Sequence, residues 1–252
     1  MHGLVLRHDK DGVATLVLNR PDKLNALSTE MFEDLEVHVD SLARETKTIG
    51  LVVLRGAGDT FSAGYDLNEI ADLVKAHAKP HNQSEVIEKV ANLPQPVISA
   101  VQGHCTTGAL ELALAADLIV AGESACFADA GAKWGLTPIW GLSLRLPQRV
   151  GTAKAREMMF TCRTIAGREA RDIHLANFCY PDDRFDEELA ALAAQIVANS
   201  WYANRVNKRV LMETDGLPID EAMDLEMFKN EGLAPDAERR VAAFFQAHRR
   251  QP

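Results

Sequence analysis

The sequence predicts an α/β protein whose C-terminal region is all helical. Up to about residue 145, apolar runs of strand length alternate with helical patterns, which is typical of a parallel sheet with crossover helices. Beyond that point helical patterns follow one another, and a strand is expected only around 177–180. We therefore expect an α/β core over residues 1–195 and a C-terminal helical region over residues 196–252.

The first elements follow from local signals. A β-hairpin is expected over residues 4–19, because two apolar strands flank the turn pair Asp11–Gly12. Ser28 can cap a helix along which apolar residues recur at the helical period. Residues 49–56 form an apolar run long enough for a strand that is covered on both faces.

The middle of the chain repeats the alternation. A turn-rich loop, FSAGYDL, opens into a helix, and the polar stretch 75–84 with Pro80 predicts a mobile surface loop between helices. A second buried strand (PVISAV), a short helix (GALELALAAD) and a third strand (LIVAG) follow. Beyond residue 145, helices are expected at 151–160, 185–200, 202–214, 218–230 and 236–250.

Composition excludes several classes of protein. The formal net charge of -9 and a pI near 5.4 argue against a nucleic-acid-binding surface, and no apolar run is long enough to span a membrane. The four cysteines are far apart, so neither a zinc site nor a disulfide framework is indicated. Since the N-terminus shows no secretory or transit pattern, we expect a cytoplasmic protein with reduced cysteines.

Two loops share a design that suits anionic oxygen atoms. FSAGYDL (61–67) and GHCTTGALELA (103–113) each follow an expected buried strand, contain small residues and lead into a helix. Backbone N–H groups at such a junction lack intrahelical partners, so two neighbouring loops could hold one oxyanion between them. Turns of this kind are also common structural features of α/β proteins.

Glu111 is the unusual residue of the second loop. It lies in an apolar stretch, one helical turn after Gly108, and a carboxylate is unfavourable to bury without a partner or a function. At this position it could act as a general base beside the oxyanion site. The alternative is a structural role as the buried partner of an arginine.

Five stretches taken in order resemble the crotonase superfamily, the enoyl-CoA hydratase/isomerase family, over essentially the whole chain. They are LNRPDKLNALS, FSAGYDL, the run PVISAVQG to GLTP, RLPQRVGTAKAREMMFT and AERRVAAFFQAHRR. The resemblance implies a spiral of ββα units followed by helices that form a trimer, often a dimer of trimers. It also implies an acyl-CoA substrate and no metal or redox cofactor, since CoA is part of the substrate.

The resemblance assigns roles to individual residues. The enolate oxygen of the substrate would be held by the N–H groups of Tyr65 and Gly108, with Glu111 as acid and base. Residues around the CoA moiety would be Lys23, Leu24, Ala26, Ala63, Asp66 and Leu67. Lys23 would add a positive charge for a phosphate, although an ordinary solvated loop lysine is equally compatible with the sequence.

The chain departs from the family pattern at two places. The second glutamate of two-glutamate hydratases falls on Gly131, and the nearest acid is Asp129, which could enter the site, point to solvent or cap the following turn. Trp140 adds bulk and is expected to line the acyl pocket, whereas Trp134 is expected to pack in the core or at a subunit interface.

These residues predict an enoyl-CoA hydratase-like enzyme with a single glutamate as acid and base. Because Gly131 removes the second carboxylate, other enolate reactions stay open, namely isomerisation, decarboxylation and thioester hydrolysis. A catalytically weak acyl-CoA-binding protein is the alternative of a different class.

Overall fold

The computed structural model describes residues 3–76, 82–229 and 231–248. The strands are β1 (Val5–Lys10), β2 (Val13–Leu18), β3 (Leu51–Gly56), β4 (Val97–Val101), β5 (His104–Thr106), β6 (Leu118–Gly122), β7 (Cys126–Ala128), β8 (Ile165–Ala166) and β9 (Phe178–Tyr180). The helices are α1 (Thr29–Leu42), α2 (Leu67–Ala76), α3 (Asn82–Ala91), α4 (Gly108–Leu114), α5 (Leu142–Thr161), α6 (Gly167–Asp172), α7 (Phe185–Ala198), α8 (Trp201–Thr214), α9 (Ile219–Phe228) and α10 (Ala237–His248). Short 3-10 helices lie at Pro21–Lys23, Gly131–Trp134 and Asp182–Arg184.

Two sheets organise the core. The larger has the order β1-β2-β3-β4-β6-β9, with β1 antiparallel to β2 and all other pairs parallel. The smaller has the order β5-β7-β8, in which β5 and β7 are parallel. The N-terminal hairpin, the parallel sheet and the α/β class are confirmed.

The larger sheet is covered on both faces, as the apolar run in β3 predicts. On one face, Val52 and Leu54 join the main core, which also contains α1 and α4. On the other face, Leu51 and Val53 pack with α7. Helix α1 begins where expected, since the Ser28 hydroxyl accepts a hydrogen bond from the Met31 N–H at 3.2 Å.

Helix α4 lies in the middle of the core. It has 7 residues, all of them buried, and it connects β5 to β6. A helix this short is marginal alone in water, so its position depends on the packing around it.

Several expectations need correction. Short strands β5 and β7, of 3 residues each, were not expected, because three residues show no period. Helix α5 begins at Leu142, before the expected start at residue 151, and non-helical backbone at Gly151 divides it into two parts. Residues 75–76 and 82–84 of the expected loop are helical, and the remainder, 77–81, lies outside the described residues.

The C-terminal helices differ in how firmly they join the core. Trp201 of α8 packs against Gly50, and the buried Lys208 ammonium contacts the Asp117 carboxylate at 2.8 Å. By contrast, α9 contains no buried residue. Within the described ranges, no helix combines the length and apolar character that crossing a membrane requires.

Candidate active site

The loop over residues 61–67 lies directly against the turn that precedes α4. The Ser62 N–H donates to the His104 carbonyl at 2.8 Å, and the Thr106 hydroxyl donates to the Ala63 carbonyl at 2.6 Å. Gly64 has φ +100°, and a methyl group placed on it would lie 2.6 Å from the Thr106 carbonyl oxygen and 3.7 Å from the Gly108 nitrogen. Only glycine permits this approach, which brings the two loops together.

The backbone N–H groups of Tyr65 and Gly108, which lie next to this contact, have no hydrogen-bond acceptor among the described residues. Gly108 is the first residue of α4, so its N–H has no carbonyl one turn earlier in the helix. In the part of the chain that the structure describes, neither the Gly108 N–H nor the Tyr65 N–H donates to a protein atom. Both therefore remain available to a ligand oxygen.

Thr107 connects this turn to the next loop and was not expected from the sequence. Its N–H donates to the Ala128 carbonyl at 2.8 Å, and its hydroxyl accepts from the Ala130 N–H at 3.1 Å. Its φ of +50° is rare for a β-branched residue. No sequence pattern indicates such a backbone at threonine, because tertiary contacts impose it.

Glu111 is buried and is held by backbone donors. It is 5% exposed, and its Oε1 accepts from the N–H groups of Trp140 at 3.0 Å and Leu142 at 3.3 Å. Burial raises the pKa of Glu111 to about 7, against the opposing effect of these hydrogen bonds. No arginine contacts Glu111 among the described residues, so the alternative of an arginine partner is wrong for this part of the chain. A pKa near 7 suits a general base at neutral pH.

Asp129 is also 5% exposed, and its Oδ1 accepts from the Gly131 N–H at 3.0 Å. Of the three alternatives for Asp129, capping its turn is therefore confirmed and pointing to solvent is wrong. Burial raises the pKa of Asp129, with the Gly131 hydrogen bond acting against it. Its negative charge also helps to raise the pKa of Glu111, so the two carboxyl groups interact.

Trp140 forms a wall beside these groups. It is 4% exposed, and its ring makes edge-to-face contacts with Phe32 and Tyr65, each at 5.2 Å between centroids. A methyl group placed on Gly108 would lie 2.4 Å from Cζ3 of Trp140. Trp134 is 64% exposed, so of its two expected positions the core is wrong, and packing at a subunit interface stays a prediction.

The Tyr65 side chain is anchored by residues that sequence reasoning missed. Its hydroxyl donates to Glu69 at 3.0 Å, and the Gln83 amide nitrogen lies 3.5 Å from the same hydroxyl. Burial raises the pKa of Tyr65 to about 12; a hydrogen bond with Thr29 opposes this rise, and the hydrogen bond to Glu69 adds to it. No local pattern indicates that Trp140 contacts Phe32 and Tyr65, or that Gln83 contacts Tyr65, because these residues belong to separate segments.

The residues expected around CoA lie on two adjoining loops. The Ala63 N–H donates to the Leu24 carbonyl at 2.9 Å, and the Asp66 N–H donates to the Leu27 carbonyl at 2.8 Å. Lys23 is exposed at the end of a 3-10 helix, Leu24 is 49% exposed and Leu67 is 60% exposed.

Asp66 and Ala26 share a partner, Arg20, that the sequence did not single out. Its guanidinium contacts the Asp66 carboxylate at 3.1 Å and donates to the Ala26 carbonyl at 2.8 Å. Burial raises the pKa of Asp66, but hydrogen bonds from Asn68 and the charge of Arg20 outweigh it and hold the pKa below its ordinary value. Arg20 therefore holds the two loops together.

Comparisons with known proteins point to one family. Residues 8–249 match the family model described as enoyl-CoA hydratase/isomerase. The chain is 31% identical to the Mycobacterium bovis protein named "Probable enoyl-CoA hydratase echA8", over 96% of this chain and 94% of that protein.

Solved structures show the same fold. An enoyl-CoA hydratase from Bacillus anthracis superposes with a TM-score of 0.89 at 28% identity, covering 97% of this chain and 96% of the other. A structure described as a putative enoyl-CoA hydratase from Thermobifida fusca, in complex with acetoacetyl-CoA, gives a TM-score of 0.77 at 25% identity, covering 89% and 92%.

Proposed function

Since the chain belongs to the enoyl-CoA hydratase/isomerase family, we propose that it is an enoyl-CoA hydratase-like enzyme acting on an acyl-CoA thioester. The observation that carries this proposal is the buried Glu111, with a pKa of about 7, one turn after the free N–H of Gly108. Binding of acetoacetyl-CoA by the Thermobifida fusca relative supports a thioester ligand.

In the proposed reaction, the thioester oxygen accepts hydrogen bonds from the N–H groups of Tyr65 and Gly108. The Glu111 carboxylate takes a proton from a water molecule as the water oxygen bonds to the β-carbon. The double-bond electrons move toward the thioester, and the two N–H groups stabilise the resulting enolate oxygen. Glu111 then returns the proton to the α-carbon, which completes the addition of water.

Asp129 and Trp140 complete the proposed site. Asp129 supplies a second carboxyl group beside Glu111, in the region where Gly131 offers no side chain. Trp140 bounds the space for the acyl group, because its ring packs on Gly108 and Tyr65. The reaction needs no metal ion and no redox cofactor.

The CoA moiety is proposed to lie along the joined loops that carry Lys23, Leu24, Ala26, Ala63, Asp66 and Leu67. The exposed apolar side chains of Leu24 and Leu67 offer contacts to the pantetheine chain. Lys23 supplies a charge for a phosphate group, which the net charge of -9 does not provide.

Self-association as a trimer, or as a dimer of trimers, belongs to the same proposal. Helices α9 and α10 expose large apolar side chains, including Met227 at 63%, Phe228 at 77% and Val241 at 54%. Such surfaces commonly mark protein interfaces. Sedimentation of the purified protein tests this, and a monomer at micromolar concentration would contradict it.

The reaction is tested with crotonyl-CoA by following loss of the conjugated-thioester absorbance. Wild type should exceed Glu111→Ala and the isosteric Glu111→Gln by about 10²–10⁴-fold, the usual contribution of an acid–base group. Equal rates in wild type and variants would exclude the hydratase mechanism.

Gly131 favours one further candidate, a weakly catalytic acyl-CoA-binding protein. Calorimetric binding of acyl-CoA without turnover of any acyl-CoA in a panel would support it. Turnover of a substrate other than crotonyl-CoA, still dependent on Glu111, would point to isomerisation, decarboxylation or thioester hydrolysis.

A further inference from the structure

Two buried polar atoms beside Tyr65 have no partner among the described residues. They are the indole Nε1–H of Trp140, a donor, and the amide Oε1 of Gln83, an acceptor. Trp140 is 4% exposed and Gln83 is 5% exposed, so bulk solvent does not satisfy them. Native proteins rarely leave such groups unpaired unless a ligand or an ordered water completes them.

The two atoms belong to adjoining segments. The Ser84 hydroxyl, next to Gln83, donates to the Ile139 carbonyl, next to Trp140, at 3.1 Å. Both side chains also border Tyr65, through the 3.5 Å contact of the Gln83 amide with the phenol and the 5.2 Å contact of the two rings. Both side chains therefore lie next to the residue whose N–H is proposed to hold the thioester oxygen.

We propose that the acyl group this enzyme prefers is short and carries a hydroxyl group beyond the reacting double bond. A hydroxyl can accept a hydrogen bond from the Trp140 indole N–H and donate one to the Gln83 amide oxygen. One hydroxyl thus supplies both of the missing hydrogen bonds. The inference rests on the proposed function, because it places the thioester at Tyr65 and Gly108.

Two other acyl classes fit less well. An alkyl chain would leave both polar atoms unpaired, which a site with buried hydrogen-bonding groups discriminates against. A carboxylate could only accept, and it would meet the Gln83 oxygen and the nearby carboxylate of Glu69, which accepts from the Tyr65 hydroxyl. The Trp140 ring against Gly108 limits the length of the group.

The test compares acyl groups of equal heavy-atom number. One pair is 4-hydroxybut-2-enoyl-CoA against pent-2-enoyl-CoA, and the other is 5-hydroxypent-2-enoyl-CoA against hex-2-enoyl-CoA. For at least one pair, kcat/KM should favour the hydroxylated substrate by about 10-fold or more. A ratio at or below one in both pairs would overturn the proposal and assign the two atoms to buried water.

Substitutions test whether Trp140 and Gln83 cause the preference for a hydroxyl group. Trp140→Phe removes the donor and Gln83→Leu removes the acceptor. Each should bring the ratio of kcat/KM for the hydroxylated substrate to kcat/KM for the alkyl substrate close to one. Trp134→Phe makes the same indole-to-phenyl change at an exposed position and should keep the preference. Retention of the preference in both folded test variants, checked by thermal unfolding, would also overturn the proposal.

A binding measurement separates this inference from the hydratase reaction. Wild-type protein is titrated calorimetrically with saturated 5-hydroxypentanoyl-CoA and hexanoyl-CoA. Tighter binding of the hydroxylated thioester would support the inference even if crotonyl-CoA is not hydrated. Equal or weaker binding would reject it even if hydration is observed.

Discussion

Two turns of this molecule each carry a buried carboxylate, yet they hold it in different ways. Glu111 accepts from the N–H groups of Trp140 and Leu142, which lie 29 and 31 residues away. Asp129 accepts from the N–H of Gly131, only 2 residues away. Packing across the fold therefore positions Glu111, whereas a local turn positions Asp129.

The two turns therefore differ in how far they can adjust to a substitution. Every residue of α4 is buried, so a change near Glu111 has little room to relax. The Asp129 turn continues into a 3-10 helix in which only Gly131 is buried. We expect substitutions in the Glu111 turn to have larger effects than matched substitutions in the Asp129 turn.

Among substitutions that leave both carboxyl groups in place, the largest effect is expected from Gly108→Ala. Its methyl group would lie 2.4 Å from Trp140 Cζ3, so the ring must move along with the backbone that binds Glu111. We expect kcat to fall by about 10²–10³-fold, as when one oxyanion donor is lost. Gly131→Ala is the matched control: its methyl would lie 3.1 Å from the Asp129 Oδ1 and 3.2 Å from the Leu136 carbonyl oxygen, contacts that small shifts can relieve, so kcat should fall less than about 10-fold. Similar losses of kcat in both variants would contradict the expected difference between the two turns.

Glu111→Gln is expected to stabilise the protein at high pH. In the unfolded chain the carboxyl ionises near 4.5, whereas the folded pKa is about 7, so stability falls as pH rises between these values. Glu111→Gln removes this loss, so its free energy of unfolding at pH 8 should exceed that of wild type by up to about 3 kcal/mol. At pH 4 the two proteins should be nearly equal in free energy of unfolding, measured in urea. A gain that is the same at both pH values would contradict the burial of an ionisable Glu111.

Asp129→Asn is expected to lower kcat by about 10-fold and to move the pH profile. The amide oxygen can still accept from the Gly131 N–H, so the turn should persist. Because the Asp129 charge raises the pKa of Glu111, its removal should shift the acidic limb of kcat/KM to lower pH. An unchanged limb would show that the two carboxyl groups do not interact.

The smallest effect is expected at Thr107, which joins the two turns. Thr107→Val removes the acceptor of the Ala130 N–H while keeping the β-branch, whereas Thr107→Ser keeps the acceptor. Losing one buried hydrogen bond should destabilise the valine variant by about 1–3 kcal/mol and lower kcat a few-fold. Thermal unfolding and kcat for both variants check this, and equal values for valine and serine would mean that the hydroxyl does not link the turns.

Much of the fold could be predicted because its signals are local. Asp11 and Gly12 define the hairpin turn, Ser28 caps α1, and the apolar run in β3 indicates burial on both faces. The short strands β5 and β7 and the start of α5 could not be predicted, because their residues show no period of their own.

The candidate site likewise has some features that the sequence determines and others that only the tertiary structure determines. The sequence by itself determined that Glu111 stands in an apolar helix one turn after Gly108, and that Gly131 offers no second carboxylate. Only the tertiary structure decided that Trp140 and Leu142 hold Glu111, that Asp129 is buried beside it, and that Thr107 adopts a positive φ. The reason is physical: residue type and spacing along an element are local, whereas burial, pKa and backbone strain depend on atoms that distant segments bring into contact.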